Sequence, residues 1–331
     1  MSLSIPIQVE PVQLVIVLLL ALALDLIFSE PPFVVHPVVW MGKLIDFFKK
    51  NIPQSHRVLY GVFVGLTTIL FACSMAWLVG VWLGMENIPL FVRYLLAAYF
   101  LKATFAVRCL IDASKEVRLE LEADRLDKAR EKMAMYVSRD TSELTKEQIS
   151  SAIIESTSEN YVDTILTPMM FYACFGSYGL IAAYAFKAAS TLDSMVGYKR
   201  EPFTQVGRFS AKLDDLLNWI PARLSVLFLA TAAILVNLFH RKSGVPDWLS
   251  GLKTAKRDAR KTPSPNSGFP MSYIAGALRI KLEKPGYYVL GEHFDDPLPL
   301  DIKFTAQITA AASFLTAGAS ALILLFNPFS I

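Results

Sequence analysis

The chain has 331 residues, 54% of them hydrophobic, and a formal net charge of +3. That balance is far from the composition of a soluble domain and excludes a globally basic nucleic-acid binder, so the chain reads as an integral membrane protein with no nucleic-acid partner. Cys73, Cys109 and Cys174 lie singly in apolar runs, which predicts buried, unpaired thiols, and the scattered histidines show no metal-ligand spacing.

Apolar runs near residues 11–28, 58–84, 88–111, 164–186, 219–239 and 304–326 approach or exceed the ~20 residues that cross a bilayer. No Lys or Arg precedes the first run, since Lys43 is the first basic residue, so it reads as a retained helix rather than a cleaved signal. Just past it, "SEPPFVVHPVVWMG" sets Glu30 and His36 on a proline-braced turn beside Asp25, with His36 as the brace. The polar island 112–163 begins as one solvent-facing amphipathic helix. Thr145 followed by Gln148 then forms a capping-box signature, predicting a new helix from about Lys146. On it Ile149, Ile153 and Ile154 supply an apolar face, while Glu155, Glu159 and Asp163 stack along another beside Asn160.

The fourth run is interrupted by "FGSYG" and the fifth opens with "NWIPAR". If both cross once, counting Lys and Arg puts island 187–223 and basic island 240–303 on opposite sides of the bilayer. If either is re-entrant or interfacial, the islands share a side; both topologies stay open. The prediction is an all-α, polytopic helical bundle, a single membrane domain over 1–331, whose polar islands form a site at one membrane surface.

Stacked carboxylates repel one another unless a cation relieves them. Glu155, Glu159 and Asp163, with Asp214 and Asp215 of "KLDDLLNW", are therefore candidate Mg2+ ligands and proton acceptors, Asn218 lying one helical turn beyond Asp214. Arg139 in "SRDTS", Lys199, Arg223, and the cluster Arg257, Arg260 and Lys261 supply candidate phosphate contacts. The cluster runs into "TPSPNSGFP", where Pro263, Pro265 and Pro270 with Gly268 stop the helix and stiffen a loop that aims Ser264, Asn266 and Ser267 at one place.

The strings "HPVVWMG", "SRDTS", "ESTSENYVD", "TLDSMVGYK", "FSAKLDDLLNWIPAR" and "RDARKTPSPNSGFP" followed by "AGAL" cover roughly residues 20–292. Together they resemble the adenosylcobinamide-phosphate synthases of cobalamin biosynthesis; Ser29 with Glu30, Ser190 and Gly286 depart from the pattern. The resemblance implies a multi-pass plasma-membrane enzyme, a carbon-nitrogen ligase. It would join adenosylcobyric acid to (R)-1-amino-2-propanol phosphate, or ethanolamine phosphate, at the expense of ATP with Mg2+. It further implies that His36, Arg139, Asp140, Thr141, Asn160, Asp193, Lys199, Asn218, Arg223, Arg257, Arg260, Lys261, Ser264 and Asn266 bind substrate or phosphate. Other late cobalamin-pathway membrane enzymes are implied as partners, and cobalt belongs to the corrinoid, so no protein-bound transition metal is expected. No Walker or Rossmann fingerprint is present, so ATP contacts must be non-standard. A Mg2+-dependent intramembrane prenyltransferase and an ion-coupled transporter are the rival readings.

Overall fold

The computed structural model describes residues 9–198, 201–239 and 246–327, and it is helical almost throughout. Contacts divide the chain into two compact units interleaved in sequence: 1–106, 167–217 and 317–331 form the first, 107–166 and 218–316 the second.

The first unit opens with α1 (Pro11–Phe28), α2 (Pro37–Lys49), α3 (Arg57–Leu83) and α4 (Leu90–Lys102). His36 caps α2, its Nδ1 accepting the Val38 N–H, and Pro37 fills the first helical position, where its missing N–H costs nothing. The second unit takes up the chain with α5 (Val107–Glu122), α6 (Leu126–Ala134) and α7 (Lys146–Tyr161). Residues 112–134 thus form two helices instead of the single amphipathic helix expected. Asp124, in the left-handed region at φ 52°, breaks them apart, and Arg125 bonds back to Glu120 across the corner. The Thr145 and Gln148 capping box forms as predicted and starts α7 at Lys146.

The fourth apolar run is not one helix. A π-helical turn (Val162–Leu166) closes the second unit's segment, then α8 (Thr167–Cys174), a 3-10 turn at Gly176–Tyr178 and α9 (Gly179–Val196) continue in the first unit. The π turn follows the carboxylate stripe directly, and the 3-10 turn falls on the "FGSYG" interruption, with Gly176 at positive φ. The first unit continues with α10 (Phe203–Val206) and α11 (Arg208–Leu217). Its core interlocks α2, α3 and α9 through Met41, Ile45, Val64, Ala72, Ala76, Tyr184 and Leu192, all buried.

The second unit resumes with α12 (Trp219–Phe239), α13 (Trp248–Asp258), α14 (Gly268–Leu278), a small antiparallel hairpin of β1 (Leu282–Lys284) and β2 (Tyr288–Leu290), and α15 (Pro299–Phe326), whose last residues belong to the first unit. Close packing of α13 on α14 depends on Gly251 against Tyr273 and Gly276 against Thr254 and the Ser250 carbonyl. Among the described residues α1, α3, α12 and α15 are long and apolar enough to cross a membrane, and α4 with α5 forms a further candidate bent by 43°. The architecture is the all-α, polytopic membrane arrangement that the sequence predicts. Cys73 and Cys109 are partly buried and none of the three described cysteines forms a disulfide, but Cys174, expected buried, is exposed at the end of α8.

Candidate functional site

In the second unit α7 and the π turn that follows it present their carboxylates in a gradient. Glu155 is 1% exposed, whereas Glu159, Asn160 and Asp163 are only partly buried. The Glu155 carboxylate is held from three directions: Arg139 donates at 2.7 Å, the Tyr288 hydroxyl at 2.9 Å and the Ser151 hydroxyl at 2.7 Å. Ser151 also accepts the Glu283 N–H, tying α7 to β1. Burial, then the charge of Glu155 and that of Glu159, hold the Tyr288 phenol protonated well above its ordinary range. With both oxygens engaged, Glu155 is the internal anchor of the stripe, and Glu159 and Asp163 are its partly exposed end.

The basic loop behaves differently from a row of waiting cations. Asp258, fully buried, bonds Arg257 at 2.7 Å and the Gly291 N–H at 2.9 Å, and pairs with Lys261 at 3.0 Å. Burial would raise its carboxyl, but those donors hold it well below the usual carboxylate range. Arg257 and Lys261 are thus turned onto an internal acid, and Arg257 also reaches His293 at 3.2 Å. The loop is as stiff as its prolines suggest: the Ser264 hydroxyl accepts the N–H groups of Asn266 and Ser267, and Thr262 donates to the Ser264 carbonyl. Gly268 does not stop a helix here; it begins α14, and Pro270 sits in that helix's first turn, where proline is tolerated.

Arg223 lies in the first turns of α12, its guanidinium 4.1 Å over the Trp219 ring and 4.5 Å over the Phe269 ring, and it donates to Asn266 at 3.4 Å. Arg260 acts on it electrostatically. Loop 259–267 therefore stands at the amino-terminal end of α12, beside the first turn of α14, where Met271 lies 3.9 Å from the Tyr288 hydroxyl. Arg139, Glu155, Tyr288, Met271, Asn266 and Arg223 are linked in this way through one unit. The basic loop thus returns to the end of α12 at which that helix starts.

Other residues singled out from sequence build turns. Asp140 accepts the Ser142 N–H, which with the Ser142 side chain lowers its carboxyl, and Thr141 donates to the Arg130 carbonyl. Asn160 bonds back to Ser156 on its own helix. Asn218, 1% exposed, falls in the break between α11 and α12, so it does not extend the Asp214 helix; its carbonyl accepts the Ala222 N–H. Lys199 lies outside the described residues.

In the first unit Asp193 lies on α9 and Asp215 on α11. Burial pushes the Asp193 carboxyl up to about 6, and the charge of Asp215 adds to the rise. His36 bonds Glu30 at 2.9 Å, and Lys102 pairs with Glu30 at 2.9 Å and with the buried Asp25 at 3.4 Å. Burial opposes ionisation of Glu30, but His36 and Lys102 hold its carboxyl below the ordinary value. His36 braces its turn, as the sequence predicts.

Among the described residues no group of three or more His, Cys, Asp or Glu side chains is gathered to hold a metal. Mg2+ does not need such a cage, because one or two carboxylates with water and substrate phosphates commonly hold it. The partly exposed Glu159 and Asp163 fit that mode; Glu155, with both oxygens engaged, does not.

Sequence reasoning missed Tyr288, Ser151, Asp258 and Lys102. Lys102 carried a legible signal, a cation in the middle of the apolar run 88–111, with Arg93 and Arg108 nearer its ends. Asp258 was hidden by its cationic neighbours, and nothing local distinguishes Tyr288 or Ser151.

Fold and site define a polytopic helical membrane protein with an arginine-anchored carboxylate stripe and a stiff basic loop. The CobD/Cbib protein family model matches residues 18–314, and the chain belongs to that family. It is 39% identical over 318 residues to the probable cobalamin biosynthesis protein CobD of Methanothrix thermoacetophila, covering 93% of this chain and 96% of that one. It is 37% identical over 294 residues to the cobalamin biosynthesis protein CobD of Dehalococcoides mccartyi, covering 88% and 91%. No solved structure matches the chain.

Proposed function

We propose that this chain acts in cobalamin biosynthesis at the plasma membrane as a carbon-nitrogen ligase. It joins the free propionate of adenosylcobyric acid to the amine of (R)-1-amino-2-propanol phosphate, or of ethanolamine phosphate, with ATP and Mg2+, giving adenosylcobinamide phosphate. Family membership supports the pathway. The observation that carries the site is the linkage, within one unit, of the carboxylate stripe to Arg223 at the start of α12 and to the loop bearing Arg260 and Asn266.

A carboxylate and an amine do not condense unaided in water. A propionate oxygen would attack the γ-phosphorus, the bond to the β-phosphate oxygen would break, and ADP would depart. The amine nitrogen would then attack the acyl carbon, inorganic phosphate would leave, and the proton released from nitrogen must go to a base. Glu159 and Asp163 are the acceptors at hand on the open end of the stripe, while Glu155 stays committed to Arg139, Tyr288 and Ser151. Arg223, held flat between two rings, and Arg260 are suited to phosphate oxygens; Arg257 and Lys261 stiffen the loop through Asp258 and keep their outward N–H groups for substrate. Mg2+, when bound, supplies charge neutralisation on the phosphates. Glu159 and Asp163, in the same unit as Arg223 and Arg260, are the carboxylates that would hold it.

Detergent-purified protein given adenosylcobyric acid, aminopropanol phosphate and Mg-ATP should yield a corrinoid heavier by the dehydrated amino-alcohol phosphate, with ADP in equal amount. Folded protein that yields neither product refutes the assignment.

A further inference from the structure

Within the second unit a cleft of about 480 Å³ opens between α13, the end of α14 and the segment that follows β2. Lys253 and Arg257 line it from one face of α13, one turn apart, and Arg279, which closes α14 at φ 54°, lines it from the neighbouring helix. These cations are unequally committed. Arg257 directs three of its five N–H groups to Asp258 and His293, and Arg279 gives one to Asp247. Lys253 is exposed and has no ion-pair or hydrogen-bond partner among the described residues. All three therefore keep N–H groups for an anion.

The facing wall is held by its backbone. The Gly291 N–H bonds Asp258 at 2.9 Å, the Phe294 N–H bonds the Gly291 carbonyl at 2.8 Å, and the Asp295 carbonyl accepts the Lys281 N–H at 2.7 Å. Gly291 sits at φ 65°, and a Cβ there would collide with the Ile280 carbonyl, so only glycine lets the segment lie this close. Two carboxylates line the cleft. Asp247 is committed, with Oδ1 capping α13 through the Leu249 and Ser250 N–H groups and Oδ2 bonded to Arg279. Asp295 is fixed through its main chain, yet its exposed carboxylate has no partner among the described residues.

One cleft thus offers a cationic face and one open carboxylate. Inorganic phosphate or a nucleotide phosphate would use the cations and leave that carboxylate unrelieved beside its own charge. A phosphomonoester carrying an ammonium group satisfies both. We propose that this cleft is the subsite for the amino-alcohol phosphate, with the phosphate on Lys253, Arg257 and Arg279 and the ammonium at Asp295. The assignment rests on the ligase reading above and deepens it: that reaction takes two phosphate-bearing substrates and so needs two cationic sites, of which Arg223 with Arg260 is the other. A phosphatidylethanolamine headgroup presents the same pair of charges, so the test separates the free molecule from the lipid.

Full-length protein in detergent is titrated by calorimetry with aminopropanol phosphate and with 2-propyl phosphate, which lacks the amine, in the absence of ATP and corrinoid. Lys253→Gln should weaken both ligands by about tenfold, the scale of one charge-assisted contact. Asp295→Asn should weaken aminopropanol phosphate by about tenfold and leave 2-propyl phosphate unchanged. Both side chains are exposed, so the variants should keep the wild-type melting curve. No saturable binding of aminopropanol phosphate to wild type, unchanged binding of it in either variant, or equal losses of both ligands in Asp295→Asn overturns the assignment. So does short-chain phosphatidylethanolamine binding through Lys253 and Asp295 where the free amino-alcohol phosphate does not, which marks a headgroup pocket. Ligation is scored in parallel. Binding here without amide formation fails the proposed reaction and leaves the subsite standing, whereas ligation with an unaltered KM for aminopropanol phosphate in both variants does the reverse.

Discussion

Glu155 and Glu159 stand one turn apart on α7 and have opposite surroundings. Glu155 is sealed under Arg139, Tyr288 and Ser151, while Glu159 is partly exposed. The two should therefore fail differently. Glu159→Gln should keep the wild-type melting curve and lose turnover by about 100-fold or more, the usual scale for a lost general base; full activity in that variant removes Glu159 from the chemistry. Arg139→Met leaves a buried carboxylate without its counter-ion and should lower stability by about 3–5 kcal/mol, the scale for breaking one half of a buried pair. An unchanged denaturation midpoint would contradict that. Asp193 gives a pH signature in buffer without divalent cations. Its folded-state carboxyl is raised to about 6, so the fold holds that proton more tightly than the unfolded chain does. Stability from this group is present at low pH and is lost as pH rises from the ordinary carboxylate range through about 6. Asp193→Asn should flatten that part of the stability curve, and an identical curve in the variant would show that the group titrates elsewhere.

At the scale of elements, what was legible in the sequence was whatever depends on near neighbours in the chain. The Thr145 and Gln148 box starts α7 where predicted, because both of its bonds close within one turn. The long apolar runs and the "FGSYG" break were legible for the same reason: length, hydropathy and glycine act locally. The split between α5 and α6 was not, since Asp124 at positive φ has no strong signature and the amphipathic pattern runs through it. Likewise Asp258 is made by distant donors, including the Gly291 N–H, and in sequence it is one acid among cations. Half of the site was readable as types of residue in a row, but its pairing was decided by packing. That packing is testable on α14. A side chain at Gly276 would meet Thr254 and the Ser250 carbonyl on α13, whereas one at Gly318 on α15 meets nothing nearby. Gly276→Val should cost about 1–3 kcal/mol by overpacking and Gly318→Ala should stay within about 1 kcal/mol of wild type; equal melting shifts would deny the close approach of α13 and α14.

At the scale of the molecule, the account needs the basic loop and the carboxylate stripe on one side of the lipid. The Arg223 to Asn266 bond and the path through Met271 and Tyr288 to Glu155 link the two within one unit. In a background lacking Cys73, Cys109 and Cys174, single cysteines replacing Ser142 and Pro263 should react with a membrane-impermeant maleimide in vesicles of the same orientation; reaction in opposite orientations would place the two halves of the site in different compartments. The chemistry itself is reached most directly by isotope. Adenosylcobyric acid carrying 18O in its free carboxylate is turned over with Mg-ATP and aminopropanol phosphate, and the inorganic phosphate is analysed by mass. Activation by phosphoryl transfer predicts one 18O in phosphate for each amide formed; amide formation with unlabelled phosphate, or with the label in AMP, would contradict it.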